Sequence, residues 1–173
     1  MKEQIKNEIW EWTKAIALAL ILAFIVRHFV FATSIVEGTS MEPTLEDGER
    51  VLYNKMVYLV GEPDRGDIVI IQRPTKNYVK RVVGLPGDKV EVREHTLYVN
   101  DKKVDQEYLN QEAIKETGNF SPVTIPKDKY FVMGDNRDIS KDSRTGLGFI
   151  SHDEIIGRSE LIISPFDEWS WTR

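Results

Sequence analysis

Two residues in this chain could perform covalent chemistry if the fold brought them together: Ser40 and Lys80. A serine hydroxyl is a poor nucleophile until a base takes its proton, and a lysine amine can be that base where its surroundings keep it neutral. Ser40 lies in Gly38-Thr39-Ser40-Met41-Glu42-Pro43-Thr44-Leu45, between a flexible glycine and a rigid proline three residues on. Such a bend can turn a hydroxyl and its own backbone N–H toward a cleft, although it also suits an ordinary turn or helix-cap serine. Lys80 lies in Tyr78-Val79-Lys80-Arg81-Val82-Val83-Gly84-Leu85-Pro86-Gly87-Asp88. Strand alternation puts Tyr78, Lys80 and Val82 on one face, where apolar neighbours could desolvate the amine and lower its pKa; the common fate of a strand lysine is exposure.

A third segment, residues 134–144, is crowded with Asp135, Arg137, Asp138, Lys141, Asp142 and Arg144. Asp138, Ser140 and Asp142 alternate as calcium ligands of an EF-hand do, but Ser143 stands where that loop needs glycine and Phe149 where it needs glutamate. The three histidines, His28, His95 and His152, are far apart and in no ligand spacing, so no metal site and no cofactor are expected. The chain has no cysteine, which excludes thiol nucleophiles, disulfides and thiolate metal sites. A net charge of −5, from 23 basic and 28 acidic residues, gives no electrostatic basis for binding nucleic acid.

The elements that must position these groups begin with an apolar segment. Residues 15–26 are unbroken apolar, and after Arg27 and His28 the apolar character resumes through Phe29, Val30, Phe31 and Ala32. That length suits one membrane-spanning helix, with Arg27 and His28 near its end able to reach the headgroup layer. A cleavable export signal and a buried helix of a soluble protein are the competing readings. Lys2, Lys6 and Lys14 before the span give a weak positive-inside bias that puts the N-terminus in the cytoplasm. Ser40 follows Thr33 by so few residues that it lies within roughly 25 Å of the membrane surface.

Beyond Ser34 the pattern is of short β-like runs separated by turn residues: 50–54, 67–73, 77–84, 89–93, 96–100, 123–125, 130–133 and 155–163. The expected fold is therefore mainly β, an antiparallel β domain preceded by one transmembrane helix, with residues 1–33 as cytoplasmic N-terminus and anchor and 34–173 as the extracytoplasmic domain. Residues 105–120, polar and largely acidic, read as a surface insertion with a short helix around 111–115. The C-terminal aromatics Phe166, Trp169 and Trp171 suit either a membrane interface or the domain's own surface.

The three segments together closely resemble the conserved boxes of bacterial type I signal peptidases of the small, single-anchor kind, and the resemblance runs from the anchor to about Ile163. It implies a membrane-bound serine endopeptidase that removes signal peptides from exported preproteins, with Ser40 as nucleophile, Lys80 as general base and the lipid bilayer as a further partner. It also implies supporting roles: Ser140 hydrogen-bonds to and orients the lysine, while Asp142 with Arg144, and Asp135 with Arg81, hold the site walls by ion pairs. Gly38 departs from the pattern, since some members carry there a serine whose hydroxyl helps the oxyanion hole, so the hole must rely on backbone N–H, Ser40's above all. Self-cleaving repressor peptidases share the Ser/Lys chemistry but carry a DNA-binding domain where this chain has its span. A non-enzymatic alternative is an anchored β domain that binds exported proteins without cutting them.

Overall fold

A computed structural model describes residues 2–164 and 169–172, with side chains from residue 6 onward. The chain starts as one long helix, α1 (Lys2–Ile25), which continues through a π-helical turn over Val26–Val30. The stretch Lys6–Val30 is 25 residues long and apolar enough to cross a bilayer, and none of its most apolar window is buried against the protein. Leu18, Leu20, Leu22 and Phe24 stand exposed along it, which excludes a core helix of a soluble domain. Helix gives way to extended backbone at Phe31 (φ −115°, ψ 147°). The carbonyls left open at that end are taken by Lys55, whose N–H donates to the Val30 carbonyl at 2.8 Å and whose Nζ donates to that of His28 at 2.7 Å.

The expected boundary after residue 33 falls inside a strand. β1 (Phe31–Ile35) pairs antiparallel with β2 (Arg50–Asn54), with Phe31 opposite Asn54 and Ile35 opposite Arg50. The apolar run through Phe31 and Ala32 thus serves the sheet, not the span. A single turn of helix, α2 (Val57–Val60), follows β2. The rest of the β structure comprises β3 (Ile68–Gln72), β4 (Asn77–Gly84), β5 (Lys89–Arg93), β6 (Thr96–Val99), β7 (Lys102–Lys103), β8 (Phe120–Thr124), β9 (Lys129–Met133), β10 (Ile150–Ser151), β11 (Ile155–Ser164) and β12 (Ser170–Trp171). They form two sheets, both antiparallel: β1-β2-β11-β3-β4-β9-β10 with β12 added on β11, and β7-β6-β5-β8.

The large sheet is buried on both faces at its centre, which is why β3 reads Ile68-Val69-Ile70-Ile71 without alternation. Val69 and Ile71 pack with Val82, Tyr130 and Val132, while Ile68 and Ile70 pack with Met41, Leu45 and Val51. Each such side chain contributes about 1.5–3 kcal/mol by leaving water. The small sheet packs Val90, Val92 and Leu97 against Val83, Phe131 and Met133.

The segment 105–120 differs from its expected role as a surface insertion. It does carry a short helix, α3 (Gln111–Glu116), whose first turn is capped by Asn110 Oδ1 accepting from Ala113 N–H at 2.8 Å. Yet Gln106, Leu109, Ala113 and Thr117 are buried, because the segment lies on the charged loop 134–144 and shares its hydrogen bonds. Of the C-terminal aromatics, Phe166 lies outside the described residues; Trp169 and Trp171 are exposed, with Trp171 opposite Leu161.

Gly84 of β4 sits close against the small sheet, and an added Cβ there would stand 2.3 Å from Ile125 Cδ1 and 2.7 Å from Val90 Cγ2. Gly84→Ala should therefore destabilise the domain by about 1–3 kcal/mol through overpacking. Thermal denaturation should register this as a midpoint lowered by about 2–4 °C for each kcal/mol.

Candidate active site

Lys80 Nζ donates to Ser40 Oγ across 2.7 Å, so the fold joins two residues forty positions apart. A second bond, from Nζ to the Val79 carbonyl at 2.8 Å, fixes the amine's position. Lys80 is only 2 % exposed, and this burial lowers its pKa to about 8. Asp142 and Asp135 pull it back upward and Lys76 pushes it down, but desolvation outweighs them. The strand reading explains the setting: Tyr78 and Val82, on the Lys80 side of β4 by alternation, pack into one apolar cluster with Val69, the residue opposite Lys80 on β3.

Ser40 is held by the turn that follows it. Thr44 and Leu45 N–H both donate to the Met41 carbonyl, at 2.9 and 3.0 Å, and Met41 and Leu45 are driven into the core. Asn136 N–H donates to the Ser40 carbonyl at 3.2 Å, tying the turn to loop 134–144. Gly134 must be glycine here, since a Cβ would stand 2.3 Å from the Ser40 carbonyl oxygen and 2.2 Å from Ser140 Oγ. Ser40 N–H has no acceptor among the described residues and is free to face an oxyanion. Gly38 adopts φ +82° and donates its N–H to Asp47 Oδ1 at 2.6 Å. A serine would be strained in that left-handed conformation, a physical reason for the departure seen at this position.

Both expected ion pairs form. Arg81 and Asp135 are joined at 2.7 Å with 4 % and 0 % of their side chains exposed, and Arg81 Nε also donates to Asp135 Oδ1 at 3.0 Å. Arg144 and Asp142 pair in the same forked manner, at 2.7 and 3.0 Å. Asp142 further accepts from the N–H of Gly134 and of Arg144. The hydrogen bond expected from Ser140 to Lys80 is absent. Ser140 Oγ is buried without a partner among the described residues, and the bonds of Lys80 Nζ go to Ser40 and Val79.

Sequence reasoning missed two groups. Thr44 Oγ1 donates to Asp135 Oδ2 at 2.6 Å, although it stands inside the serine box and carries a hydroxyl that needs a partner. Arg137, buried with its pKa lowered by desolvation, donates to the carbonyl of Gly134 and to Gln106 Oε1 and Thr117 Oγ1. Tyr108 of the same segment lies under the Arg81 guanidinium, 3.9 Å from Cζ to the ring centroid. The apolar residues Tyr108, Leu109, Ala113 and Ile114 within the insertion were the available signal.

The dyad opens on a cleft of about 860 Å³ lined by residues 33–41 and 75–80 together with Arg50, Ile139 and Lys141. Its two long walls are β1 with its extension and the start of β4, whose pairing with β9 begins only at Arg81. Unpaired strand backbone of this kind can accept an extended peptide by β-augmentation.

Comparison with known proteins finds relatives along nearly the whole chain. Residues 9–164 match the family described as "Signal peptidase, peptidase S26". The signal peptidase I of Bacillus licheniformis is 51% identical over 172 residues, covering 94% of this chain and 92% of its own. Signal peptidase I T of Bacillus subtilis is 49% identical over 176 residues, with 96% and 91% covered. The crystal structure of a signal peptidase I from Enterococcus faecalis V583 superposes with a TM-score of 0.52 at 33% identity, over 57% of this chain and 97% of that one.

Of the charged pairs, Arg81 with Asp135 is the most deeply buried, so its loss is the most informative. Arg81→Met keeps the side chain's bulk and leaves Asp135 as an uncompensated buried charge, a change that typically costs about 3–5 kcal/mol. Chemical denaturation should show a loss of that order at neutral pH; a loss below about 1 kcal/mol would show that Asp135 does not depend on the guanidinium.

Proposed function

The chain belongs to the signal peptidase family, peptidase S26, and from that premise we propose that it removes signal peptides from exported preproteins with Ser40 as nucleophile and Lys80 as general base. The observation that carries the reading is the 2.7 Å contact between Lys80 Nζ and Ser40 Oγ at a buried position. Neutral Nζ takes the Ser40 proton as Oγ attacks the carbonyl carbon of the scissile bond. The resulting oxyanion accepts from Ser40 N–H. As the C–N bond breaks, the ammonium returns its proton to the leaving amine, leaving an ester on Ser40. Water, deprotonated by the same amine, then attacks that ester, releases the signal peptide's carboxylate and regenerates the serine. A domain that only held exported proteins would have no use for a buried amine against a serine.

The supporting residues act through their charges and positions. Arg81 pairs with Asp135 and Arg144 with Asp142, which offsets part of the carboxylates' upward pull on the Lys80 pKa and leaves desolvation in control. Ser140 packs by Gly134 at the rear of Ser40. The helix Lys6–Val30 anchors the protein in the bilayer, with residues before it in the cytoplasm and the β domain outside.

The test of the dyad is cleavage of a signal-peptide-bearing substrate by the full chain in detergent. A free lysine titrates near 10.4, leaving fewer than about one amine in a thousand neutral at pH 7; at a pKa of about 8, roughly a tenth is neutral. Because the deprotonated form is the active one, kcat/KM should rise with pH and level off above about pH 8. Ser40→Ala should be inactive yet fold normally. A profile still climbing at pH 10, or a cleaving Ser40→Ala, would overturn the assignment.

Topology is tested separately on spheroplasts carrying the chain with an N-terminal tag. Protease added outside should digest the β domain and spare the tag. A protected β domain would reverse the proposed orientation.

A further inference from the structure

The 2.7 Å contact at the dyad depends on where the Ser40 turn sits, and the turn's position is set by a ring of contacts. Lys80 Nζ meets Ser40 Oγ, and Lys80 is followed in β4 by Arg81. Arg81 Nη2 meets Asp135 Oδ2 at 2.7 Å. Thr44 Oγ1 donates to that same oxygen at 2.6 Å and stands 3.4 Å from Arg81 Nη2. Three residues of one turn, Met41 to Pro43, separate Thr44 from Ser40, and the ring is closed.

Strand alternation gives this ring its mechanical sense. Successive residues of β4 project to opposite faces, and Tyr78 and Val82 accordingly pack into one cluster while Val79 packs into another. Lys80 and Arg81 therefore leave the strand on opposite sides, and the turn contacts one with Ser40 and the other with Thr44. Met41 and Leu45 sink the turn into the core, but apolar contact is non-directional and sets depth without setting alignment. The Asn136 bond to the Ser40 carbonyl is long, at 3.2 Å. A short, charge-assisted bond from a hydroxyl to a fully buried carboxylate is the strongest directional constraint on the turn.

We propose that Thr44 is a positioning residue: by hydrogen-bonding the Arg81–Asp135 pair from the opposite side of β4, its hydroxyl holds Ser40 Oγ in line with the Lys80 amine. This rests on the reading of Ser40 and Lys80 as the catalytic dyad. Thr44 touches neither reacting atom, so its contribution is to kcat. The cleft walls at 33–37 and 75–79 are formed without it, so substrate binding should be indifferent to its loss.

The test compares Thr44→Val, which keeps the shape and removes the hydroxyl, with Thr44→Ser, which keeps the hydroxyl and removes the methyl. Both are assayed as full chains in detergent, with activity expressed per folded protein. Displacement of a reacting group by a fraction of an ångström to 1 Å can cost up to about 100-fold, and Thr44→Val should lower kcat about tenfold or more with KM within about twofold of wild type. Thr44→Ser should restore kcat to near the wild-type value, which a role in packing alone would not produce. In an Asp135→Asn background, which weakens the acceptor, Thr44→Val should cost little beyond Asp135→Asn itself, the non-additivity of one network. Wild-type kcat in Thr44→Val, a loss that tracks only the fraction unfolded, or a failure of Thr44→Ser to rescue would each overturn the proposal. Ser40→Ala run in parallel separates the two readings: if it is dead while Thr44→Val is fully active, only the positioning role falls; if it cleaves, the dyad falls and the role of Thr44 with it.

Discussion

On the proposed dyad reading, an amine that must lose its proton near neutral pH is buried beside two buried carboxylates, and the ion pairs of the site bear on that conflict. Burial, and to a smaller extent Lys76, lowers the pKa of Lys80, whereas Asp142 and Asp135 raise it. In a low-dielectric interior an unpaired carboxylate would hold a proton on the amine. Each carboxylate instead sits in the fork of an arginine, Asp135 with Arg81 and Asp142 with Arg144, which offsets part of its upward pull while desolvation still prevails. A buried ion pair is weak evidence of stabilisation, because desolvation offsets much of the Coulomb gain. Here its use is electrostatic balance and alignment at the amine.

The arginines must themselves be held, and the segment 105–120 does this. Tyr108 stacks on Arg81, while Gln106 and Thr117 accept from Arg137, whose backbone carbonyl accepts from Arg144 Nη2 at 2.9 Å. The insertion is thus the outer wall of the charged layer. Loop 134–144 could not keep these cations at fixed positions if the insertion left them in solvent, where such pairs contribute little.

The class of fold and the residues of the candidate site were more legible in the sequence than the connections between them. Runs such as 50–54, 77–84 and 89–93 coincide with strands because alternation and turn residues are local signals. β1 was hidden because its apolar start continues the span's hydrophobicity; only pairing with β2 distinguishes it. The contacts of Thr44 with Asp135 and of Arg137 with Gln106 join residues distant in sequence, and no local pattern encodes them. Ser140 was expected at the amine from resemblance, and its hydroxyl stands without a partner among the described residues.

The hidden strand changes how the span and the serine are related. Chain length alone limits the distance of Ser40 from the end of the helix but lets it wander within that limit. β1 removes the freedom: its five residues are paired with β2, and the ladder continues as Val36 N–H donates to Glu49 O and Gly48 N–H to Val36 O. Gly38 N–H bound to Asp47 extends the tie to two residues before the serine. Five paired residues rise about 17 Å, so the serine's height above the helix end is set by a rigid strand. On the proposed membrane reading, this fixes the depth at which a substrate held in the bilayer is cut, and the anchor's contribution is geometric as well as one of local concentration. The bonds of Lys55 to the last helical carbonyls complete that linkage, since they join the helix end to the residue that directly follows β2.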